Sequence, residues 1–176
     1  MTAVGQVALV PAAVEDAPLF ANLMDLYLHD LSEAFLIELG EDGRFEYESL
    51  SRYWSEPERR FPFFIRFGKR IVGFVLITCG PDDPAAYDIT EFFVLRRYRR
   101  SGVGRRAAVL AWSRFPGQWT VRVSKGNVGA IPFWSRVVEE YTDGQFSQSE
   151  RPGEPHDWCV FSFESGSALP GDGPSR

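Results

Sequence analysis

The segment from Phe61 to Arg114 restricts the fold more than any other part of the chain. "FPFFIRFGKRIVGFVLIT" (Phe61–Thr78) holds two runs rich in β-branched and aromatic residues on either side of Gly-Lys, the pattern of an antiparallel hairpin. "YDITEFFVL" (Tyr87–Leu95) is a third apolar run, read as a central strand, and it leads directly into "RRYRRSGVGRRAA" (Arg96–Ala108). From Gly102 onward, Val103, Ala107, Leu110 and Ala111 recur at helical spacing until Pro116-Gly117 ends the pattern. A hairpin ahead of strand, glycine turn and helix implies a mixed sheet, because a purely parallel doubly wound fold does not need the hairpin.

The flanks extend this order. "QVALVPAA" (Gln6–Ala13) reads as a short first strand. Phe20, Leu23, Tyr27 and Leu31 then share one helical face, with Asn22, Asp25, His29 and Glu33 on the other, and Glu15 and Asp16 suit the helix start. "FEYESLSRYWSEPE" reads as a shorter second helix ended by Pro57. "QWTVRVS" is a further strand, "AIPFWSRVVEEY" places Ala130, Trp134, Val137, Val138 and Tyr141 on one helical face, and "QFSQS" and "DWCVFSFE" close as two late strands. The chain of 176 residues has the size of one ordinary domain and can bury a sizeable core. A single domain is expected over residues 1–165, with the small, polar, Pro- and Gly-containing stretch 166–176 as a disordered tail.

Charge raises the functional question. The chain carries 24 acids and 19 bases, a net charge of −5. Six of those bases are arginines within Arg96–Arg106, and without them the balance is 13 bases against 24 acids, or −11. A nucleic-acid binder presents a broad basic surface. A point concentration of arginine suits a compact anionic ligand better, and an acidic body suits both solubility and a cationic substrate. Cys79 and Cys159 have no metal-ligand spacing and are too few for a disulfide framework, and Cys79 falls in an apolar strand pattern that reads as core. His29 and His156 are isolated, so no metal is expected. No basic stretch followed by an apolar one opens the chain, and no apolar run nears the ~20 residues of a membrane span; a cytoplasmic location without membrane contact is the expectation.

Strand, Gly-rich turn and helix together form a phosphate cradle. A helix N-terminus exposes unpaired N–H groups and partial positive charge, glycines admit the ligand to the backbone, and arginines add forked donors. "GVGRRA" formally fits a dinucleotide turn, G-x-G-x-x-A, but the acid expected after the next strand is missing from "WTVRVSKGN" (Trp119–Asn127). A Walker loop lacks its G-K-[ST]. A nucleic-acid patch lacks a matching basic surface, and a solvated basic loop is the bland reading.

Arg99-Arg100-Ser101-Gly102-Val103-Gly104 resembles the [Q/R]-x-x-G-x-[G/A] coenzyme A loop of the GNAT superfamily of N-acetyltransferases. "NVGAIPFW" (Asn127–Trp134) resembles that family's N-x-x-A-x-x-F-[Y/W] segment, and the element order agrees over about residues 6–165. The segments "EFFVLRRYRRSGVGR" and "FWSRVVEEYTDG" are similar to a branch known as predicted acetyltransferases. The resemblance implies an α+β (mixed α/β) GNAT-like acyl-CoA N-acyltransferase fold: a central mixed, mostly antiparallel sheet of about six to seven strands flanked by about four helices.

It also implies a site. Acetyl-CoA would lie in a splay between the strand ending at Leu95 and the strand Trp119–Ser124, its pantetheine arm meeting backbone groups of Phe93, Val94 and Leu95. The N–H near Val94 would hold the thioester carbonyl and stabilise the oxyanion. The pyrophosphate would rest on the amides of Arg99, Arg100, Ser101, Gly102, Val103, Gly104 and Arg105, while Asn127, Phe133 and Trp134 flank the arm. Glu91, three residues before Val94, is the candidate general base; the bland alternative is a solvent-facing Glu on the strand. Trp134 stands where many family members have a tyrosine, so the general acid is unassigned; Tyr98 or Tyr27 are alternatives, and Tyr141 reads as core. Tyr27, Asp30 and Glu91 are candidate acceptor contacts, with Asp25, His29 and Glu33 nearby, and the same face reads equally as a solvated helix surface. The implied function is transfer of acetyl from acetyl-CoA to a small-molecule or peptide amine, without nucleic acid; the oligomeric state is open and includes a homodimer. A non-catalytic acyl-CoA sensor is the main alternative, and nucleic-acid binding through Arg96–Arg106 is the third.

Overall fold

Gly68, at φ +60°, and Lys69 turn the expected hairpin, with β2 (Arg60–Phe67) and β3 (Arg70–Cys79) on its two sides. The left-handed backbone at this tight turn is the conformation that glycine adopts without steric cost. The computed structural model describes residues 6–80 and 83–166. The stretch 166–176 lies outside them except for Gly166.

Seven strands form one sheet in the order β1-β2-β3-β4-β5-β7-β6. The remaining strands are β1 (Val7–Pro11), β4 (Ala86–Val94), β5 (Gly117–Ser124), β6 (Ser147–Arg151) and β7 (Trp158–Ser165). Among the described residues only β4 and β5 run parallel; the other neighbouring pairs are antiparallel. The helices are α1 (Ala17–Leu31), α2 (Arg52–Ser55), α3 (Val103–Arg114) and α4 (Ala130–Thr142). The mixed, mostly antiparallel sheet with four helices agrees with the expected fold class.

Alternation along the strands sends successive side chains to opposite layers. On one face Phe64, Phe74, Leu76 and Phe93 meet Phe20, Leu23, Met24 and Leu28 of α1. On the other, Val75, Ile77, Ile89 and Val121 meet Trp112 of α3 and Val137 and Val138 of α4. Beside them Ile65, Val72 and Val94 pack on Val103 and Ala107 at the start of α3. The parallel pair is the point where the chain must cross the sheet, and α3 is that crossover.

Two differences from the sequence reading have local causes. The second helix is a single turn, Arg52–Ser55, not the whole of "FEYESLSRYWSEPE". Phe45, Tyr47 and Leu50 are drawn onto the α1 layer instead, and that burial outweighs helix propensity. The last strand but one runs Ser147–Arg151, two residues later than "QFSQS", because its register is set by pairing with β7.

Phe20 is fully buried and touches the rings of Trp54, Phe64 and Phe74. Phe20→Ala is expected to lower the unfolding free energy by about 3–5 kcal/mol in urea titration, through lost burial and an unfilled cavity.

Candidate active site

β4 and β5 pair only from Ala86–Ile89 against Gln118–Val121, and then part. A bulge marks the change: Ile77 faces Ile89 and Leu76 faces Glu91, leaving Thr90 as an extra residue in β4. Beyond it the antiparallel rhythm with β3 is regular. Leu95 N–H donates to Val72 O at 2.8 Å, so Leu95 and Phe93 direct their backbone groups at β3. Phe92 and Val94 therefore direct theirs into the gap. Arg99 Nε donates to Val94 O at 2.7 Å, which leaves the Val94 N–H facing the gap. Of the three expected backbone contacts, Val94 is placed at the open edge. Phe93 packs its ring among Tyr27 and Phe74, and Leu95 spends its carbonyl on Tyr98 N–H at 2.8 Å.

The bulge also changes which way Glu91 points. Ile89 is in the α3–α4 layer, yet Glu91, two positions later, lies on the α1 side. There its carboxylate is held by two phenols: Tyr27 donates to Oε2 at 2.5 Å and Tyr47 donates to Oε1 at 2.9 Å. Burial raises the Glu91 pKa above the ordinary value of 4.5, more than the two hydroxyls and Arg122 lower it. Burial and the neighbouring carboxylate raise both tyrosines, so each keeps its proton and remains a donor. Glu91 is thus a poised carboxylate rather than a solvent-facing side chain.

At the far end of β4 the chain passes through a short turn of 3-10 helix, Arg96–Tyr98, and enters α3. Arg100 has φ +58° and Gly102 φ +83°. Gly102 caps the helix without any side-chain cap bond, and Arg106 N–H is the first to reach back, to Gly102 O at 3.0 Å. The amides of Val103, Gly104 and Arg105 consequently lack intrahelical acceptors. Gly104 serves packing: a Cβ there would lie 3.3 Å from the Phe133 ring and 3.8 Å from Phe92. Phe133 in turn lies 6.2 Å from Phe92, so the start of α3, the start of α4 and the gap in the sheet share one aromatic floor.

A family model described as acetyltransferase (GNAT) family matches residues 20–138, from α1 into α4. The chain belongs to that acetyltransferase family. No curated protein matches it significantly in sequence. Solved acetyltransferases share the fold at low identity. An acetyltransferase from Thermus thermophilus is 17% identical, with TM-score 0.65 over 92% of this chain and 98% of the other. A spermidine N-acetyltransferase from Vibrio cholerae, solved with CoA and spermine, is 12% identical, with TM-score 0.64 over 91% and 96% of the two chains. The ribosomal-protein-S18-alanine N-acetyltransferase from Escherichia coli is 12% identical, with TM-score 0.59 over 94% and 97%.

Within this GNAT frame several expected contacts are committed elsewhere. Asp30, a candidate acceptor contact, binds Arg99 and, at 2.7 Å, Arg96, and so clamps α1 to the loop. Burial would raise the Asp30 pKa, but the two guanidinium groups bring it below 3.8. The Arg99 side chain therefore turns back toward Val94 O and Asp30, away from the helix start. Arg105 leans to Glu140 at 3.5 Å. Val103 is buried with Ala107, leaving only its amide for a ligand. Ser101 Oγ donates to Tyr98 O at 2.6 Å. Asn127 uses its backbone to close the turn into α4, and its side-chain amide has no partner among the described residues. Trp134 is buried between Phe92, Phe133 and Trp112, where an indole packs but cannot serve the reaction as an acid. Tyr141, expected in the core, pairs with Ser165 Oγ at 2.7 Å. Among the described residues no three His, Cys, Asp or Glu are placed to hold a metal ion, and no helix is long and apolar enough to cross a membrane.

Sequence reasoning did not find Tyr47, or the pair Asp88–Arg122 at 2.6 Å. Tyr47 stood in a segment read as helix, and its 44-residue separation from Glu91 leaves no periodic signal. Burial raises Asp88 to about 6, more than Arg122 lowers it. An acid raised above its unfolded value of 3.8 binds its proton more tightly in the native state, so its stabilising contribution is lost as pH rises through about 6. Asp88→Asn is therefore expected to gain about 1–3 kcal/mol relative to the parent between pH 4 and pH 7, measured by urea unfolding at both values.

Proposed function

We propose that the chain is an acetyl-CoA-dependent N-acetyltransferase that passes the acetyl group to a primary amine of a small molecule or peptide by direct attack in a ternary complex. The activity belongs to the single domain formed by residues 1–165. The observation that carries the reading is a half-buried, doubly hydrogen-bonded carboxylate at Glu91, three residues from a Val94 amide that has no partner among the described residues.

The residues present suit the donor. Uncapped amides at Val103, Gly104 and Arg105 and the charge of Arg100 suit a pyrophosphate, and the open edges of β4 and β5 suit an amide-bearing arm. Bound there, acetyl-CoA supplies an activated acyl group. Val94 N–H is the donor for the thioester carbonyl oxygen, whose negative charge grows during attack. Glu91 accepts the proton of the incoming amine, directly or through one water, Tyr27 and Tyr47 fix its carboxylate in that position, and the thioester C–S bond would break with CoA leaving as the thiolate. Phe92 and Phe133 exclude water from the α3–α4 side.

Three of the six clustered arginines are ion-paired, to Asp30 or Glu140, which favours the cofactor reading over a nucleic-acid patch. A non-catalytic acyl-CoA sensor is the outcome if binding occurs without turnover.

Acetyl-CoA at one hundred times its Kd is expected to add about 2.7 kcal/mol to stability, read as a rise in Tm. Absence of any shift at millimolar acetyl-CoA would overturn the reading. Glu91→Gln should retain that shift and lose roughly 10²–10⁴ in kcat for thiol release. Tyr27→Phe removes a bond that lowers the Glu91 pKa, so the acid limb of its kcat/KM profile should move to higher pH than in the parent.

A further inference from the structure

A cavity of about 450 Å³ opens on the α1 side of the sheet where β4 and β5 begin, bordered by Arg59, Arg60, Arg122, Arg151, Asp88 and Thr90. Ile89 and Val121 belong to the opposite layer, so Asp88, Thr90 and Arg122 face the same side as Glu91. Thr90 is the bulged residue that turns Glu91 toward α1, which makes the cavity continuous in sequence with the reacting carboxylate.

Its charge is the reverse of what the acidic composition suggests. Four arginines border it against one carboxylate. Arg60 is paired with Glu56 at 2.8 Å and Arg122 with Asp88 at 2.6 Å. Arg59 and Arg151 have no ion pair among the described residues. Arg59 Nε and Asp88 Oδ1 are both buried without a hydrogen-bond partner among the described residues. A guanidinium donor buried without a partner is costly and points to an acceptor that binds there. The acids of α1 that could have received a cation are already used, Asp25 by Arg44 at 2.8 Å and Asp30 by Arg96 and Arg99.

We propose that this cavity is the acceptor subsite, and that the acceptor is a small amine whose far end is an oxyanion, a carboxylate or phosphate, bound by Arg59 and Arg151. The proposal rests on the acetyltransferase reading for the role of the amine. Asp88 and Glu91 are three positions apart on one strand, at most about 10 Å, so amine and anion are separated by a chain of several bonds. Guanidinium groups match both oxyanions in geometry, and the cavity volume fits a small molecule rather than a folded partner.

The test uses the full chain, acetyl-CoA and four amines that differ at the far end: hexylamine, 1,6-diaminohexane, 6-aminohexanoate and 5-aminopentyl phosphate. Thiol release is followed, and the Tm shift given by each amine alone is measured in parallel. The expected result is that one or both anionic amines exceed hexylamine and the diamine at least tenfold in kcat/KM, the better of the two naming the oxyanion. Arg59→Ala should reduce this preference at least tenfold. Arg151→Ala, at an exposed position where folding is not at risk, should reduce it several-fold. Preference for the diamine or for hexylamine, or a preference for anions that survives both substitutions, overturns the proposal and leaves the acetyltransferase reading intact. If no amine is turned over and acetyl-CoA gives no shift, the acetyltransferase reading fails. The anionic amines then decide the cavity alone: a Tm rise lost in Arg59→Ala supports it, and no rise overturns it.

Discussion

The molecule is organised around a place where hydrogen bonding stops. β4 and β5 are parallel neighbours at the centre of the sheet, and their ladder ends at Ile89 and Val121. Backbone amides buried without partners are costly, so a sheet that opens at its centre must give those groups to water or to a ligand. The extra residue Thr90 accompanies the separation and at the same point shifts Glu91 onto the α1 layer. The open edge at Val94 and a carboxylate three residues before it thus share one stretch of β4. The crossover helix α3 begins at the wide end of the same gap, so its free amides and the strand edge face one space.

The large pattern was legible because it depends on periodicity and punctuation. The hairpin, the apolar run to Leu95, the glycine turn and the two amphipathic helices all follow from local spacing, and the structure has them in that order. The use of each side chain was less legible. The resemblance singles out Arg99, Arg100 and Arg105 of the six clustered arginines for the pyrophosphate, whereas the fold gives the side chains of Arg96 and Arg99 to Asp30 and that of Arg105 to Glu140. Asp30 is 66 and 69 residues away from its two partners, too far for any pattern to link them. Gly104 was read as an approach to phosphate and is equally a fit to Phe133, a contact that needs α4 in place. Tyr47 escaped notice because tertiary burial, not local propensity, settles the segment that carries it.

Net charge proved a poor guide to local charge. The chain is acidic overall, yet the cavity beside Glu91 is bordered mostly by arginine, while the acids of α1 are engaged in structural pairs. Long-range field and local binding are separate quantities, because the first sums every side chain and the second depends on the few that remain unpaired.

The two hydroxyls on Glu91 come from separate parts of the chain. Tyr27 lies in the regular helix α1, and Tyr47 belongs to the long connection between α1 and α2. A hydrogen bond to an ionised oxygen is roughly twice as strong as one to a neutral partner. The connection is therefore fastened most tightly when Glu91 is charged, and its hold weakens when that oxygen takes up a proton. In this arrangement the proton on one half-buried carboxyl also bears on how firmly Tyr47, and with it part of the connection between α1 and α2, is held against β4.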